Sequence, residues 1–492
     1  MDTEVLTTSG PVRGLGTGHG AVFHGVPYAA APVGALRFAA PRPHEPWTEV
    51  RDATRPGPTA PQPVRGGFGS LDVSPYFAPG WVEGADHLVL DIHVPARADR
   101  LAPVVVFVHG GGFTAGSAGS PMYDGTAFAR DGVVLVTVEY RLGVPGFLHL
   151  PDAPDNRGLL DVLAALHWLR DNASRFGGDP DNVTLSGQSA GAIIVGGVLA
   201  DPASKGLVRR AIMQSGSGTA AFTAEQAGIV TAAVGRELGI EPTAEALADV
   251  PDRTFVDLMP RLNGLDLGTP THHDPFGGIT PFSLVLDRQP ADALAEGRGS
   301  GVDLLIGSNV DEGALYLAPL GGLSASTDDD VLAVAARFHP RPAELVAAYR
   351  AERPDATPAG LRVAVLGDGM FGAGTRRVVA ARSAADTPTF VYEFTWRSDA
   401  LDGELGACHV VELPFVFDHA DLPSLHGPNA LLGTTAPPAD LARRMHRAWV
   451  DFATTGDPGW PRHEPEHRLV RRIGATWETV GDPRPGEARA WS

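Results

Sequence analysis

One stretch constrains this chain more than any other: Asp181-Asn182-Val183-Thr184-Leu185-Ser186-Gly187-Gln188-Ser189-Ala190-Gly191. Val183-Thr184-Leu185-Ser186 reads as a β-strand and feeds a Gly-x-Ser-x-Gly turn. Residues 190–200 follow, small and aliphatic, and read as a buried helix despite three glycines. Strand, tight turn and helix together are the context of a nucleophile elbow. Gly187 and Gly191 would keep side chains from clashing where the chain reverses, leaving Ser189 at the tip. Ala190 opens the helix, so its N–H has no partner one turn earlier. A single turn can therefore supply a nucleophile and one donor to an oxyanion. A plain Gly-Ser loop ahead of a helix is the rival reading. It fails if the rest of the chain supplies a base, an acid and more donors.

Size and composition narrow the class. The chain has 492 residues, enough for a large buried core. Hydrophobic residues make up 43% and charged residues 20%, the balance of a globular protein. Length alone allows about three domains, but a single large α/β unit also reaches it. Residues 1–492 are read as one catalytic domain with helical insertions around 223–265 and 328–385. A formal net charge of −19 repels phosphate backbones, so nucleic acid is not an expected partner. The one cysteine, Cys408, leaves no internal disulfide to form. Met1-Asp2-Thr3-Glu4-Val5 lacks the apolar stretch of a signal peptide, and no run is apolar for long enough to cross a bilayer. The expectation is a soluble, cytoplasmic protein without membrane partners.

Residues 4–7, 12–13 and 21–24 read as short strands. Glycines 14, 16, 18 and 20 look like a phosphate loop, but a strand follows them, so a hairpin turn is expected. Residues 62–84 form a Gly/Pro-rich loop with Phe68, Tyr76, Phe77 and Trp81, aromatics expected mainly to pack. From 86 onward strands and helices alternate. Residues 88–94 alternate apolar and polar, as in a strand open on one face. Residues 103–108 are continuously apolar, as in a strand covered on both. Further strands are expected at 133–140, 211–216, 304–307 and 390–396, and amphipathic helices at 157–174 and 437–455. The last residues read as loops. The alternation implies a mostly parallel sheet with right-handed crossovers, and such sheets bind ligands at the carboxyl ends of their strands.

His109-Gly110-Gly111-Gly112-Phe113 follows 103–108 directly. Bare backbone N–H groups there can point into a cavity, as an oxyanion hole requires. Gly110-x-Gly112-x-x-Ala115 also matches a dinucleotide fingerprint. That fingerprint needs a helix at once, and Gly116, Gly119 and Pro121 oppose one, so no nucleotide cofactor is expected. A serine hydroxyl attacks well only when a base takes its proton, usually a histidine held by a carboxylate. In the chain order serine, acid, histidine, Asp311 and Glu312 both closely follow a buried strand, and the residues alone do not separate them. His409, among small residues after 390–396, is the candidate base, with His419 and His426 as rivals. His272-His273 lacks a third ligand at metal spacing, so no metal is expected. Phe113, Met213, Phe276, Met370 and Phe371 either line an acyl pocket or pack the core.

The chain resembles the type-B carboxylesterases, the family that includes bacterial p-nitrobenzyl esterases and cholinesterases. The likeness runs nearly end to end, through Phe23-His24-Gly25-Val26-Pro27-Tyr28-Ala29, Leu36-Arg37-Phe38, the glycine run and Tyr140-Arg141-Leu142-Gly143. It continues through the elbow, Gln214-Ser215-Gly216-Ser217, residues 307–313, His409 with Glu412-Leu413-Pro414-Phe415-Val416-Phe417, and Thr455-Gly456-Asp457-Pro458. The resemblance implies an α/β-hydrolase fold and a serine esterase acting on a small-molecule ester, with no cofactor. It implies Ser189, Glu312 and His409 as the triad, with oxyanion donors at Gly111, Gly112 and Ala190. It also implies Ser215 as a supporting serine near the triad. Two departures stand out. Gln188 replaces the glutamate usual before the nucleophile. Gly84-Ala85-Asp86-His87 replaces Ser-Glu-Asp-Cys, so the partner expected for Arg37 is missing. Hydrolysis of an amide, thioester or carbamate, or a binding role without catalysis, are the alternative functions.

Overall fold

A strand at the centre of a parallel sheet is covered on both faces, so it must be apolar throughout. The computed structural model, which describes residues 3–96, 100–383 and 387–491, places the apolar run at that position. Strands β1 (Thr3–Leu6), β2 (Pro11–Thr17), β3 (Gly20–Pro27) and β4 (Arg51–Asp52) come from the N-terminal part, and β5 (Gly67–Phe68) and β6 (Leu71–Asp72) form a separate small hairpin. The remaining strands are β7 (Val89–Pro95), β8 (Ala102–Val108), β9 (Val134–Val138), β10 (Gly178–Gln188) and β11 (Arg210–Gln214). They are followed by β12 (Asp303–Asn309), β13 (Thr389–Phe394), β14 (Leu469–Ile473) and β15 (Trp477–Gly481). The large sheet runs β1-β2-β3-β7-β9-β8-β10-β11-β12-β13-β14-β15, with β4 added to β2. Neighbours from β9 to β14 are parallel; β1, β2, β3, β7 and β15 pair antiparallel with their neighbours, and β4 lies parallel to β2.

The two faces follow from alternation along each strand. Val104, Val106 and Val108 pack with the helices Arg157–Asn172 and Ala190–Ala200. Val105 and Phe107 face the opposite core, which includes Trp449 and Phe452 of the helix Leu441–Thr455. From β8 the chain passes to β9 on one side and returns to β10 on the other. That reversal opens a crevice at the carboxyl ends of β8 and β10, the topological switch point where α/β sheets bind ligands.

Several expectations need correction. Residues 88–94 do not form a one-sided strand: β7 is buried along nearly its whole length, and its Asp91 has internal partners. Asp91 accepts from the Gly25 N–H and pairs with His24 Nδ1, each at 2.8 Å. The end of the chain is not loop. It forms β14, β15 and the helix Pro485–Ala490, with β14 extending the sheet beside β13. Arg37 does not lack an acid. Asp252 reaches it from the helix Asp252–Leu258, and the Ala248 carbonyl accepts from it at 2.9 Å. The 223–265 insertion is broken into the helices Ala224–Leu238, Ala244–Leu247 and Asp252–Leu258 and a 3-10 turn. The 328–385 insertion contains Asp328–Phe338, Pro342–Glu352, Pro358–Gly367, a π-turn at Asp368–Gly372, and Ala373–Ala381; residues 384–385 lie outside the described residues. No helix among the described residues is long and apolar enough to cross a membrane.

Candidate active site

The elbow is made by sterics. Ser189 has φ 56° and ψ −126°, a conformation that non-glycine residues rarely adopt. A Cβ on Gly187 would lie 2.6 Å from the Gly191 carbonyl, and one on Gly191 would lie 2.0 Å from the Val108 carbonyl oxygen. Both positions therefore demand glycine. The Ser189 N–H donates to the Gln214 carbonyl at 2.9 Å, tying the turn to β11.

Three side chains converge on the tip from the ends of three different strands. Ser189 follows β10, Glu312 follows β12, and His409 lies in the long loop after β13. His409 Nδ1 is 2.6 Å from Glu312 Oε2, and its Nε2 is 2.8 Å from Ser189 Oγ. A carboxylate only accepts, so Nδ1 carries the proton and Nε2 is left to accept from the serine. Glu312 Oε1 accepts from Ser215 Oγ at 2.5 Å and from the Asn309 N–H at 2.7 Å. Gln188 Nε2 lies 3.3 Å from His409 Nε2. The Phe371 ring stacks on His409 with centroids 4.2 Å apart.

The neighbours of these residues explain the rival candidates. Asp311 points away from His409. It accepts from the Arg397 guanidinium at 3.0 Å and from the Ala407 N–H at 2.9 Å, so it braces the histidine loop. The same loop is strapped by Asn309 Nδ2 to the Cys408 carbonyl at 2.8 Å and by the Tyr76 hydroxyl to the Val410 carbonyl at 3.0 Å. His419 and His426 meet the carbonyls of Asp124 and Ala420 instead, and His272 and His273 lie exposed on a loop.

Gly111, Gly112 and Ala190 line the same cavity as Ser189 and His409, a space of about 290 Å³. Gly111 and Gly112 have φ 114° and 63°, and a Cβ on Gly111 would strike the Ala115 carbonyl oxygen at 1.9 Å. Phe113, Phe276, Met370 and Phe371 line this cavity too. Met213 does not. It sits in β11 with its side chain in the core, close to Gly196 of the Ala190–Ala200 helix. The Phe68, Tyr76 and Phe77 aromatics, expected to pack, form part of the cavity wall, because β5, β6 and the short helix Ser74–Phe77 fold over its mouth.

The chain is similar to known esterases along nearly its whole length. The family model described as the carboxylesterase family matches residues 1–484. The para-nitrobenzyl esterase of Bacillus subtilis (strain 168) is 36% identical, the match covering 98% of this chain and 97% of that protein. The chain belongs to the carboxylesterase family. The phenmedipham hydrolase of Pseudarthrobacter oxydans is also 36% identical, over 95% of this chain and 94% of its own. The carboxylesterase EST55 of Geobacillus stearothermophilus superposes with a TM-score of 0.85 at 33% identity, covering both chains fully. This member of the family is thus a carboxylic-ester hydrolase of the α/β-hydrolase fold.

Four further buried groups stand behind the cavity, two of them, His109 and Glu412, inside motifs that carry the family resemblance. Gln62 clasps Gly116, donating to its carbonyl at 2.7 Å and accepting from its N–H at 2.8 Å. Glu139 accepts from the N–H groups of Ala60 at 3.0 Å and Ala118 at 2.7 Å, and burial pushes its pKa up to about 8. His109 bonds the Gly110 carbonyl through Nδ1 at 2.8 Å and is kept neutral by burial, its pKa lowered to about 4. Together these groups fix the glycine loop from behind. Glu412 lies close to His409 and Glu312, accepting from Asn309 Nδ2 at 2.7 Å. Burial, with the Glu312 charge close by, raises its pKa to about 7.

Proposed function

We propose that Ser189, His409 and Glu312 are the catalytic triad of a serine carboxylesterase acting on short- to medium-chain esters. The observation that carries this reading is the continuous hydrogen-bonded line from Ser189 Oγ through His409 to Glu312, at 2.8 and 2.6 Å. His409 Nε2 takes the serine proton as Oγ attacks the ester carbonyl carbon. The resulting imidazolium is stabilised by Glu312. The N–H groups of Gly111, Gly112 and Ala190 stabilise the oxyanion, each such donor contributing about 3 kcal/mol in comparable sites. The C–O bond then breaks, and His409 returns its proton to the departing alcohol. Water enters and loses a proton to His409 as its oxygen attacks the acyl carbon; the acyl–Oγ bond then breaks, His409 returns the proton to Ser189 Oγ, and the acid leaves. Ser215 and Gln188 act through position, one on Glu312 and the other beside His409. The whole chain acts as one catalytic unit. The cytoplasm is the proposed compartment, supported by the lone buried cysteine.

The test is hydrolysis of p-nitrophenyl esters of graded acyl length by wild type and Ser189→Ala. Wild type should favour short and medium acyl chains, in keeping with the cavity volume. Ser189→Ala should fold normally and lose about 10⁴-fold or more in kcat. Turnover retained by the variant would overturn the assignment.

A further inference from the structure

Among the described residues that line the cavity beside Ser189, Arg65 is the only Lys, Arg, Asp or Glu. It sits on the loop leading into β5, half-buried in a wall that is otherwise largely aromatic and aliphatic. Its guanidinium donates to Thr114 Oγ1 at 2.7 Å and lies 5.5 Å from the Phe77 ring centroid. Burial holds its pKa below the ordinary arginine value, with no carboxylate beside it to offset that.

Several other arginines set into this fold are matched. Arg141 forms a two-pronged pair with Asp161, Arg353 does so with Glu487, and Arg37 meets Asp252. Arg157 directs its guanidinium at the carbonyls of Pro145, Pro154 and Leu148. Arg65 has five N–H donors and one hydroxyl partner. A guanidinium in apolar surroundings is costly unless an anion meets it, and its planar fork fits a carboxylate with two parallel hydrogen bonds. The cavity floor is compatible with such an anion. Position 188 is an uncharged glutamine, and the Glu312 carboxylate is covered by His409, Ser215 and Asn309.

We infer that the cavity takes esters bearing a second, ionised carboxylate, and that Arg65 recognises that carboxylate while Ser189 attacks the ester. This inference rests on the ester-hydrolase reading of the same site. It makes Arg65 a specificity-determining residue, with the Thr114 hydroxyl orienting its fork.

The test uses two matched pairs of esters at neutral pH, with the spontaneous rate subtracted. One pair places the carboxylate on the acyl side, p-nitrophenyl glutarate monoester against p-nitrophenyl valerate. The other places it on the alcohol side, 4-carboxybenzyl acetate against 4-methylbenzyl acetate. In wild type, the kcat/KM ratio of anionic to neutral ester should exceed one in at least one pair. In Arg65→Met that ratio should fall by about tenfold or more, and Arg65→Lys should keep part of it. A ratio that Arg65→Met leaves unchanged in both pairs would overturn the inference. Should Arg65→Met fail to fold, wild type decides alone, since a ratio at or below one in both pairs is equally fatal. Wild type that turns over neutral esters while failing these tests leaves the esterase reading intact. Wild type inactive on all four esters, like Ser189→Ala, strikes that reading instead.

Discussion

At Ser189 the backbone sets where the side chain stands. A left-handed conformation of this kind costs roughly 1–3 kcal/mol, and it lifts Oγ clear of the strand toward His409 Nε2. The neighbouring Gln188 places an amide rather than a carboxylate 3.3 Å from that nitrogen. A charge there would favour the imidazolium over the neutral base. In Gln188→Glu the acid limb of the kcat/KM profile should therefore move to higher pH, by about one unit. Parallel pH–rate profiles check this, and coincident acid limbs would refute it. Glu412 makes a second residue-scale test. Its folded pKa of about 7 lies above the ordinary glutamate value of 4.5. A raised pKa means that the folded state binds the extra proton. The resulting stability is fully present below pH 4.5 and is lost as pH rises through about 7. Glu412→Gln cannot titrate. It should be the less stable protein at pH 5, and the gap should narrow by about 1–3 kcal/mol by pH 8. Urea unfolding of both proteins at the two pH values measures the change.

Among the elements, the elbow shows how a short string can dictate geometry. Gly191 lets the Ala190–Ala200 helix approach β8 so closely that an added methyl would meet the Val108 carbonyl oxygen at 2.0 Å. Gly191→Ala should cost several kcal/mol, about 3 or more, because the obstacle is backbone and cannot swing aside. Thermal melting and soluble yield report it, and a variant as stable as wild type would disprove the packing argument. The elbow, the glycine run and the parallel strands were all legible from sequence, because each is a local pattern with a local cause. The 62–84 loop was not legible in the same way. Its aromatics are equally suited to a core or to a cavity wall, and only the fold of β5 and β6 over the site decides between them. Met213 fails for the converse reason: one step along β11 from a residue facing the other core, it points into the packing under the helix.

Over the whole molecule, the C-terminal strands close an edge that would otherwise be open. β14 pairs with β13, and Arg472 reaches Glu393 of β13 at 3.1 Å. The terminal helix is anchored by Glu487 to Arg353 at 2.6 Å. A chain truncated after residue 464 would expose β13 as an unpaired edge, and it should move largely to the insoluble fraction on expression. Soluble, active truncated protein would show that this cover is dispensable. The sequence by itself determined the hydrolase class and the elbow that holds Ser189. Residues adjacent in the chain carry strand, turn and helix signals whose sterics hardly depend on distant contacts. It also brought Glu312 and His409 forward, though through resemblance rather than through any local rule. What only the tertiary structure decided is which carboxylate faces His409, where Arg37 finds its partner, and that β7 is buried on both faces. These are contacts between residues tens to hundreds of positions apart, and no periodicity along the chain encodes which of several polar groups will meet once the sheet has formed.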